Sequence, residues 1–485
     1  MNAETGSYGT LKCMIVKLLN ICYLSRTMRN ILLINPWIYD FAAYDCWNKP
    51  IGLLYLASLL RMNGINVYFL DCLDPHRREM REGSRDTLPK RNMLGGGRYA
   101  KECIPKPDPL KHFPRRYHRY GIKPETFLKH IKSVPAPDLV MITSMMTYWY
   151  PAVFDIVGLL HRTFPGIPVV LGGNYVTLYP HHATRSGADF ILDGPGELSI
   201  PVFLKNLYNQ DMSYIPNADN LDSYPYPAFD LISHPDHVPI MTSRGCPYRC
   251  SYCASHTINH HFRRRDPIRV ADEVHYWHTR LGIRHFSFYD DALLVNPREM
   301  AIPLLKEIVR RVLPIHFHCP NGLHIREITT ELSTLMFKAG LKTIRFGFET
   351  SDPLRQEITG GKVDNEELEE AVKHLRQAGY RNADIGIYIL CGLPGQSADE
   401  VAESIRFVQT CGARPIIAEY SPIPGTALWD EAVASSPYPI AREPLFQNNS
   451  LLPCRSELFT FEMYQALKLG IRKSDGAPKT LDNVS

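Results

Sequence analysis

The sequence has no long hydrophobic run. A membrane helix needs about 20 consecutive apolar residues, and the nearest stretch, Leu11–Leu24, is shorter and carries two lysines. The same stretch fails as a signal peptide, because Glu4 lies in a leader that should be basic and no small-residue cleavage site follows Tyr23. We therefore expect a cytoplasmic protein that does not span a membrane.

Cysteine and net charge are also scarce. Twelve cysteines in 485 residues are far below the density of a disulfide-rich secreted domain, so most of them are expected to be reduced core thiols. A net charge of +4, from 54 basic and 50 acidic residues, does not favour a nucleic-acid-binding protein. With 45% hydrophobic residues and no internal repeat, the chain is long enough for two or three globular domains.

The first half of the chain alternates short apolar runs with amphipathic segments. Helices are predicted over 51–62 and 151–162, and strands over 31–35, 67–71, 139–143, 168–171 and 190–192. Glycines follow several of these strands, which predicts a doubly wound, Rossmann-like α/β domain whose ligand lies at the carboxyl ends of a parallel sheet. The domain is expected to span 28–213, because residues 1–27 show no clear period and are predicted to lie outside the fold.

Two polar segments interrupt this pattern. Residues 75–123 form an insertion with 14 basic and 5 acidic residues. It is either a solvated surface loop or, since long irregular loops are uncommon without a function, a lid or a recognition element for an anionic group. Residues 214–236 are rich in proline and are predicted to be a linker.

A second βα series covers residues 237–430. Its predicted strands are 238–243, 286–289, 315–318, 343–349, 384–390 and 416–419. Six repeats are too few for a closed eight-stranded barrel, so we expect an open, partial (βα)6 TIM-type barrel with its chemistry at the carboxyl ends of the strands. Residues 431–485 form a C-terminal extension without a readable motif.

Three thiols directly follow the first strand of this series. Cys246, Cys250 and Cys253 lie within eight residues, and a loop there can bring their sulfurs to one metal centre. Structural zinc normally has four protein ligands, whereas a four-iron cluster held by three thiolates keeps one iron open. The alternatives are a zinc site completed by His256, or three unrelated thiols.

This segment, C-x-x-x-C-x-x-C with an aromatic residue before the last cysteine, resembles the radical S-adenosylmethionine (radical SAM) superfamily over about 238–429. The resemblance implies a [4Fe-4S] cluster on Cys246, Cys250 and Cys253, with S-adenosylmethionine bound to the open iron. One electron from the cluster would then cleave it to methionine and a 5′-deoxyadenosyl radical.

The resemblance also assigns further residues to S-adenosylmethionine. These are Tyr252 beside the cluster and adenine, Asp290 and Asp291 at the methionine moiety, Glu349 near the ribose, and Gly392 and Pro394 in the adenine-side loop. Each assignment has a plain alternative: the two aspartates could cap a helix, and the Gly392–Gly395 segment could be an ordinary turn.

With the doubly wound domain before the barrel, the chain over 29–430 resembles the cobalamin-binding class of that superfamily. The class includes methyltransferases of unactivated carbon or phosphorus and the anaerobic magnesium-protoporphyrin ester cyclase. The resemblance implies that Ser144, Gly172, Gly173, Gly194 and Glu197 line the cobalamin site. Glycines there would let backbone amides approach a large flat ligand.

The motif Asp-x-His-x-x-Gly, which supplies a histidine to cobalt in other cobalamin proteins, is absent from the sequence. We therefore expect base-off cobalamin with no protein histidine below the cobalt. The alternative is a domain that keeps the fold but no longer binds the cofactor.

These features predict a cobalamin-dependent radical SAM enzyme, most simply a methyltransferase. The first alternative is a radical oxidation or cyclisation, and the second, from another class, is an iron-sulfur sensor or binding module. The expected partners are a small-molecule, natural-product-like substrate with an anionic group and a low-potential electron donor such as flavodoxin or ferredoxin, with no nucleic acid.

Overall fold

The computed structural model describes residues 29–74 and 94–474. The expectation that residues 1–27 lie outside the fold concerns residues that the structure does not describe. The first part of the basic insertion, residues 75–93, also lies outside the described ranges. Within the described ranges, no helix is long and apolar enough to cross a bilayer.

The N-terminal unit is built on a five-stranded parallel sheet, as predicted. The strands are β1 (Asn30–Asn35), β2 (Ile38–Asp40), β3 (Tyr44–Asp45), β4 (Asn66–Asp71), β5 (Gly97–Arg98), β6 (Lys101–Ile104), β7 (Tyr117–Tyr120), β8 (Leu139–Thr143), β9 (Val169–Gly172) and β10 (Phe190–Ile191). Five of them form the parallel sheet, in the spatial order β10-β9-β8-β1-β4. The strand order reverses beside β1, where a doubly wound sheet binds its ligand. The helices are α1 (Ile51–Met62), α2 (Pro124–Ser133), α3 (Tyr150–Thr163), α4 (Asn174–Leu178), α5 (Pro180–Ala183) and α6 (Gly196–Tyr208).

Strand β1 is a continuous apolar run because both of its faces are buried. Ile31 and Leu33 pack towards α1 and α6, whereas Leu32 and Ile34 pack towards α3 on the other side. Burial on both faces is the rule for a parallel strand covered by helices on either side. The helices therefore enclose this sheet and leave its carboxyl ends as the open edge.

The second part of the basic insertion is not a loop. Strand β7 (residues 117–120) pairs with β2 on one side and with β6 (residues 101–104) on the other in a three-stranded antiparallel sheet, and β5 pairs with β3. Tyr117 and Tyr120 are buried, and Arg119 pairs with Glu102. The solvated-loop interpretation is therefore wrong for residues 94–123, because short strands and buried tyrosines anchor them.

The second unit is the predicted partial barrel. Its strands are β11 (His237–Ile240), β12 (Ser243–Arg244), β13 (Arg263–Arg264), β14 (His285–Phe288), β15 (His316–His324), β16 (Leu341–Glu349), β17 (Ile385–Cys391) and β18 (Arg414–Glu419). Six of them are parallel and follow one another in the order β11-β14-β15-β16-β17-β18. The helices are α7 (Ser255–Ile258), α8 (Pro267–Leu281), α9 (Ala301–Arg311), α10 (Thr330–Lys338), α11 (Pro353–Thr359), α12 (Asn365–Gln377) and α13 (Ala398–Thr410).

The proline-rich segment 214–236 connects the two units, but it is packed rather than loose. Phe229 and Ile232 belong to the apolar core of the barrel, while Leu221 and Tyr224 pack against Tyr55 of α1. The buried apolar side chains make this segment part of the interface, which proline content alone did not predict.

Residues 44–49 of the N-terminal unit, the barrel plug, extend into the barrel. The Trp47 ring stacks on His318 of β15 with the ring centres 4.4 Å apart. Ser287 donates to the Trp47 carbonyl at 3.0 Å, and the Tyr289 hydroxyl donates to the Cys46 carbonyl at 2.7 Å. Since Ser287 and Tyr289 lie on and just after β14, these contacts join the two units.

The C-terminal extension is also part of the fold. It contains α14 (Trp429–Ser435) and α15 (Phe461–Ser474), which packs on α13. Residues 436–459, the C-terminal strap, run between these helices. Within the strap, Gln447 accepts a hydrogen bond from Thr147 at 2.5 Å, and Asn448 donates to Asp40 at 2.8 Å. The strap therefore binds back onto the N-terminal unit.

Candidate active site

A cavity of about 510 Å³ lies between the two units. Its wall includes predicted residues from both: from the N-terminal unit Ser144, Gly172, Gly173, Gly194 and Glu197, and from the barrel Asp291. These residues follow the carboxyl ends of strands in the two sheets, where α/β units bind their ligands. The structure thus brings together two sets of strand ends that lie far apart in the sequence.

One side of the cavity is apolar. Met141 and Val170 of the sheet line it together with Leu56 of α1 and Ile200 of α6. The same four side chains belong to the core layer between the sheet and these helices. The cavity therefore reaches into that layer, which gives an extended ligand an apolar slot beneath the strand ends.

The three predicted glycines of the wall lack a side chain for different structural reasons. A Cβ at Gly173, where φ is +94°, would lie 2.6 Å from the Ser144 carbonyl oxygen, so the chain itself needs glycine there. A Cβ at Gly172 would lie 3.3 Å from the Leu192 carbonyl oxygen. At Gly194, with φ +70°, a Cβ would meet no atom within 4 Å. Of these three predicted glycines, Gly194 is the one whose missing side chain leaves open space.

Among the described residues of this wall there is no histidine. The expectation that cobalt receives no protein imidazole stays a prediction.

Glu197 faces the barrel as well as the cavity. Its Oε1 accepts a hydrogen bond from Nη2 of Arg244 at 2.6 Å, and both side chains are largely buried. The carboxylate predicted to bind a cofactor is therefore engaged by an arginine of the other unit.

The three cysteines lie on one tight loop after β12. Gly245 begins the loop with φ +80°, and a Cβ there would lie 2.8 Å from the His261 carbonyl oxygen. Burial raises the pKa of all three thiols, that of Cys246 to about 11. Metal ligation requires thiolates, so a metal centre bound here would have to displace the thiol protons.

The proposed zinc alternative is not supported by the geometry. The histidine beside Cys246 is His324, whose Nε2 lies 3.9 Å from the sulfur, and not His256. In the described part of the chain, no group of three or more cysteine, histidine, aspartate or glutamate side chains is arranged to hold a single metal ion. Cluster ligands attach to separate irons, so three thiolates around a cluster do not need to converge on one ion.

A lysine that sequence reasoning missed lies beside the cysteines. Lys362 is buried, pairs with Glu349 and donates to the Tyr252 hydroxyl at 3.1 Å. Burial lowers the pKa of Lys362, but Glu349 and the Cys250 thiol raise it by more, so the amine stays protonated. The available signal was Gly360-Gly361 before the lysine, since a Cβ at Gly360 would lie 2.9 Å from Cα of Cys250.

Asp290 and Asp291 point in different directions. Asp290 Oδ1 accepts four hydrogen bonds, from the backbone and hydroxyl groups of Thr242 and Ser243, at 2.5–2.8 Å. Asp291 lies on the cavity wall and accepts from Ser255 at 2.6 Å. Neither caps a helix, because the next helix, α9, has Met300 at its N-cap.

The loop after β17 also approaches the cysteine loop. Leu393, between the predicted residues Gly392 and Pro394, belongs to an apolar cluster that Tyr252 packs against. Gly392 has φ +77°, and the Pro394 carbonyl accepts from Arg355 at 3.5 Å. The segment is a turn, and its place beside Tyr252 is compatible with the adenine-side role.

Comparison with known proteins agrees with this arrangement. Residues 115–204 match the B12 binding domain, and residues 240–408 match the Radical SAM superfamily. The chain belongs to the cobalamin-binding radical SAM enzymes. The two matches imply its cofactors, which are cobalamin, a [4Fe-4S] cluster and S-adenosylmethionine.

Three relatives of this radical SAM chain show the range of the family. An uncharacterized methyltransferase of Pyrococcus horikoshii is 27% identical over 62% of this chain and 70% of its own. The anaerobic magnesium-protoporphyrin IX monomethyl ester cyclase of Cereibacter sphaeroides is 27% identical over 39% of this chain and 31% of its own. The structure of the radical SAM methyltransferase TsrM from Kitasatospora setae, with cobalamin and a [4Fe-4S] cluster bound, aligns with a TM-score of 0.61 at 18% identity, over 85% of this chain and 80% of its own. At that identity, the structural match shows the shared fold.

Proposed function

We propose that this enzyme transfers a methyl group to an unactivated carbon of a small molecule. The observation that carries the proposal is the cavity shared by the two units, whose wall contains Gly172 and Gly194 of the N-terminal unit and Asp291 of the barrel. A carbon bound in this cavity would lie within reach of both cofactors. When bound, the cluster and S-adenosylmethionine supply hydrogen-atom abstraction, and cobalamin supplies the methyl group.

The chain's own residues would bind and orient these groups. Cys246, Cys250 and Cys253 would hold the cluster. Lys362 is a protonated amine beside Cys250 and suits a ligand carboxylate, whereas Glu349 is an acceptor for ammonium or hydroxyl groups. The methionine part of S-adenosylmethionine presents a carboxylate and an ammonium group, and its ribose presents hydroxyl groups.

The apolar slot between the sheet and helices α1 and α6 would take the nucleotide tail of cobalamin. Met141 and Leu56 line the slot, and an aromatic base removed from cobalt would bury its rings there. This arrangement supports the base-off form and needs no histidine on the wall.

The cavity, and not the basic insertion, is the basis for proposing that the substrate carries an anionic group. Lys49 lines the cavity with 6% of its surface exposed, whereas Arg119 of the insertion pairs with Glu102. The electron donor is proposed to be a low-potential flavodoxin or ferredoxin.

The second candidate function is a radical oxidation or cyclisation. It is favoured by the relative that is an ester cyclase, which matches 39% of this chain. Such a reaction consumes S-adenosylmethionine only by reductive cleavage.

Product stoichiometry tests the proposal. Protein reconstituted without oxygen with iron, sulfide and hydroxocobalamin is given methyl-labelled S-adenosylmethionine, a low-potential reductant and a small-molecule extract. One methylation consumes two molecules of S-adenosylmethionine and two electrons, and yields S-adenosylhomocysteine, methionine and 5′-deoxyadenosine. We expect the adenosine products in about equal amounts, with the label in a new compound.

The matched control is protein reconstituted without cobalamin, which should form deoxyadenosine but no S-adenosylhomocysteine. Replacing Cys250 by Ala should abolish deoxyadenosine formation. Formation of deoxyadenosine without S-adenosylhomocysteine in the complete system would instead support the oxidation or cyclisation.

A further inference from the structure

The ion pair between Glu197 and Arg244 lies between the two cofactor loops. Glu197 is in the first turn of α6 and follows Gly194 of the cavity wall by three residues. Arg244 precedes the first cluster ligand, Cys246, by two residues. The pair therefore joins the backbone segment at the proposed cobalamin site to the segment that carries the cluster.

The Arg244 guanidinium is held on more than one side. Its Nη2 donates to Glu197 Oε1 at 2.6 Å. Its carbon also lies 5.4 Å from the ring centre of Tyr55 and 4.8 Å from that of Tyr224. An arginine stacked on aromatic rings and bonded to a buried carboxylate has one preferred position, which a flexible lysine would not reproduce.

The chain on either side of Arg244 has little freedom. Thr242 and Ser243 are bonded to Asp290 by four hydrogen bonds. On the other side, Gly245 packs so closely on the His261 carbonyl that a Cβ would not fit. Arg244 and Cys246 therefore lie on one firmly held segment, so a contact made by Arg244 fixes the position of this segment relative to α6.

We propose that the Glu197–Arg244 pair is a positioning element that sets the separation and orientation of the cluster and cobalamin. The inference rests on the proposed function, because it assigns the pair a role only when both cofactors act on one substrate. Neither residue needs to touch the reacting atoms. Reacting groups must be held in a near-attack arrangement, and a misplacement of about 1 Å can cost about a hundredfold in rate.

The test uses full-length Arg244→Met, Arg244→Lys and Glu197→Gln proteins reconstituted with iron, sulfide and hydroxocobalamin. The main measurement is the magnetic interaction between the reduced cluster and cob(II)alamin in electron paramagnetic resonance, since this interaction depends on their separation. We expect Arg244→Met to weaken or broaden it, with iron and cobalamin contents unchanged. Glu197→Gln should also weaken or broaden it, measured per bound cobalamin because Glu197 lines the cavity. Arg244→Lys keeps the charge without the planar group and should have an intermediate effect.

A second measurement follows the cofactors without any substrate. Cobalamin-dependent formation of S-adenosylhomocysteine should fall by about tenfold or more in Arg244→Met, whereas deoxyadenosine formation should persist. A residue with only a structural role would lower both in proportion to the amount of folded protein.

The control is Arg61→Met, which removes an exposed ion pair with Asp230 of 2.9 Å between α1 and segment 214–236. It should leave the magnetic interaction unchanged. If Arg244→Met and Glu197→Gln also leave it unchanged, the inference is wrong. If Arg244→Met fails to fold, Arg244→Lys and Glu197→Gln decide the question. A wild-type chain that binds neither cofactor would overturn the proposed function itself.

Discussion

At the scale of single residues, the aspartate that matches the methionine-binding segment has a different environment from the one expected. Asp290 is buried, and burial raises its pKa to about 6 despite the hydrogen bonds from Thr242 and Ser243. Four donors on one oxygen indicate that this side chain organises the start of the cysteine loop. The residue of the pair that faces the cavity is Asp291.

Replacing Asp290 by Ala should therefore release the cysteine loop. Four buried donors would lose their acceptor, at a cost of about 1–3 kcal/mol for each one left without a partner. We expect a lower unfolding temperature and less iron per chain after reconstitution. Asp290→Asn keeps an acceptor oxygen and should retain most of the iron. Equal iron loss in both variants would show that the negative charge, and not the hydrogen bonding, matters.

Two glycines on the wall should differ in what replacement by Ala changes most: stability at Gly173 and cobalamin binding at Gly194. At Gly173 the new Cβ would overlap the Ser144 carbonyl, so thermal unfolding should occur at lower temperature. At Gly194 no atom is in the way, and the left-handed backbone alone costs about 1–2 kcal/mol. If cobalamin packs there, Gly194→Ala should weaken hydroxocobalamin binding with only a small loss of stability. Unchanged binding would place the cofactor elsewhere.

At the scale of elements, the barrel interior carries a row of histidines on neighbouring strands. His285 and His318 share a hydrogen bond of 3.0 Å between ring nitrogens, and His318 also bonds to Thr343 at 3.0 Å. Burial lowers the pKa of His237, His285 and His318, that of His318 to about 2. Neighbouring histidines add to the effect at His285 and His318, and Lys49 adds to it at His237. The rings are thus neutral at neutral pH and pack against the barrel plug.

This row predicts acid sensitivity. The unfolded histidine pKa of about 6.5 lies above the lowered folded values, so the unfolded state binds more protons below pH 6.5. Stability is complete above that pH and is lost on acidification, by up to about 1.4 kcal/mol per pH unit for each such histidine. Denaturant midpoints at pH 7.5 and 5.5 should differ less in His318→Gln than in wild type. The exposed-residue control His275→Gln should keep the wild-type difference.

At the scale of the whole molecule, the C-terminal strap closes the interface between the units. Its Asn448 donates to Asp40, which also accepts from Trp149 and from the backbone of Phe41. Burial raises the pKa of Asp40, and these bonds oppose the rise. The strap therefore supplies one of the hydrogen bonds that stabilise the buried Asp40 carboxylate, which lies about 400 residues earlier in the chain.

Asn448→Ala should destabilise the interface between the units by about 1–3 kcal/mol, because it removes a donor from a buried carboxylate. Thermal unfolding is the measurement. The neighbouring Asn449, whose side chain makes no hydrogen bond among the described residues, provides the control Asn449→Ala. Equal effects of both changes would show that the strap acts through packing.

Local pattern was enough for the strands of the two main sheets, whereas the short strands within residues 97–120 and the helix Pro124–Ser133 were not predicted. Helix α1 has the predicted bounds 51–62 and β8 the predicted bounds 139–143, because their apolar periodicity is written within a dozen residues. The three cysteines are recognisable because their ligand spacing is also local. Parallel strands then bring their carboxyl ends to one edge, and several of the predicted residues that follow strands lie together on the cavity wall.

Only the tertiary structure decided which residues of different units meet. Lys362 reaches Tyr252 across 110 positions, Arg244 meets Glu197 across the interface, and Trp47 stacks on a histidine of the barrel. No periodicity or spacing encodes these pairs, since each depends on how two separately folded units pack. The sequence by itself therefore determined the strands of the two main sheets and the fold class, and it marked the thiol loop as the candidate cluster site. The shared cavity and the fixed position of its two halves arise from packing over long chain separations, which local pattern does not contain.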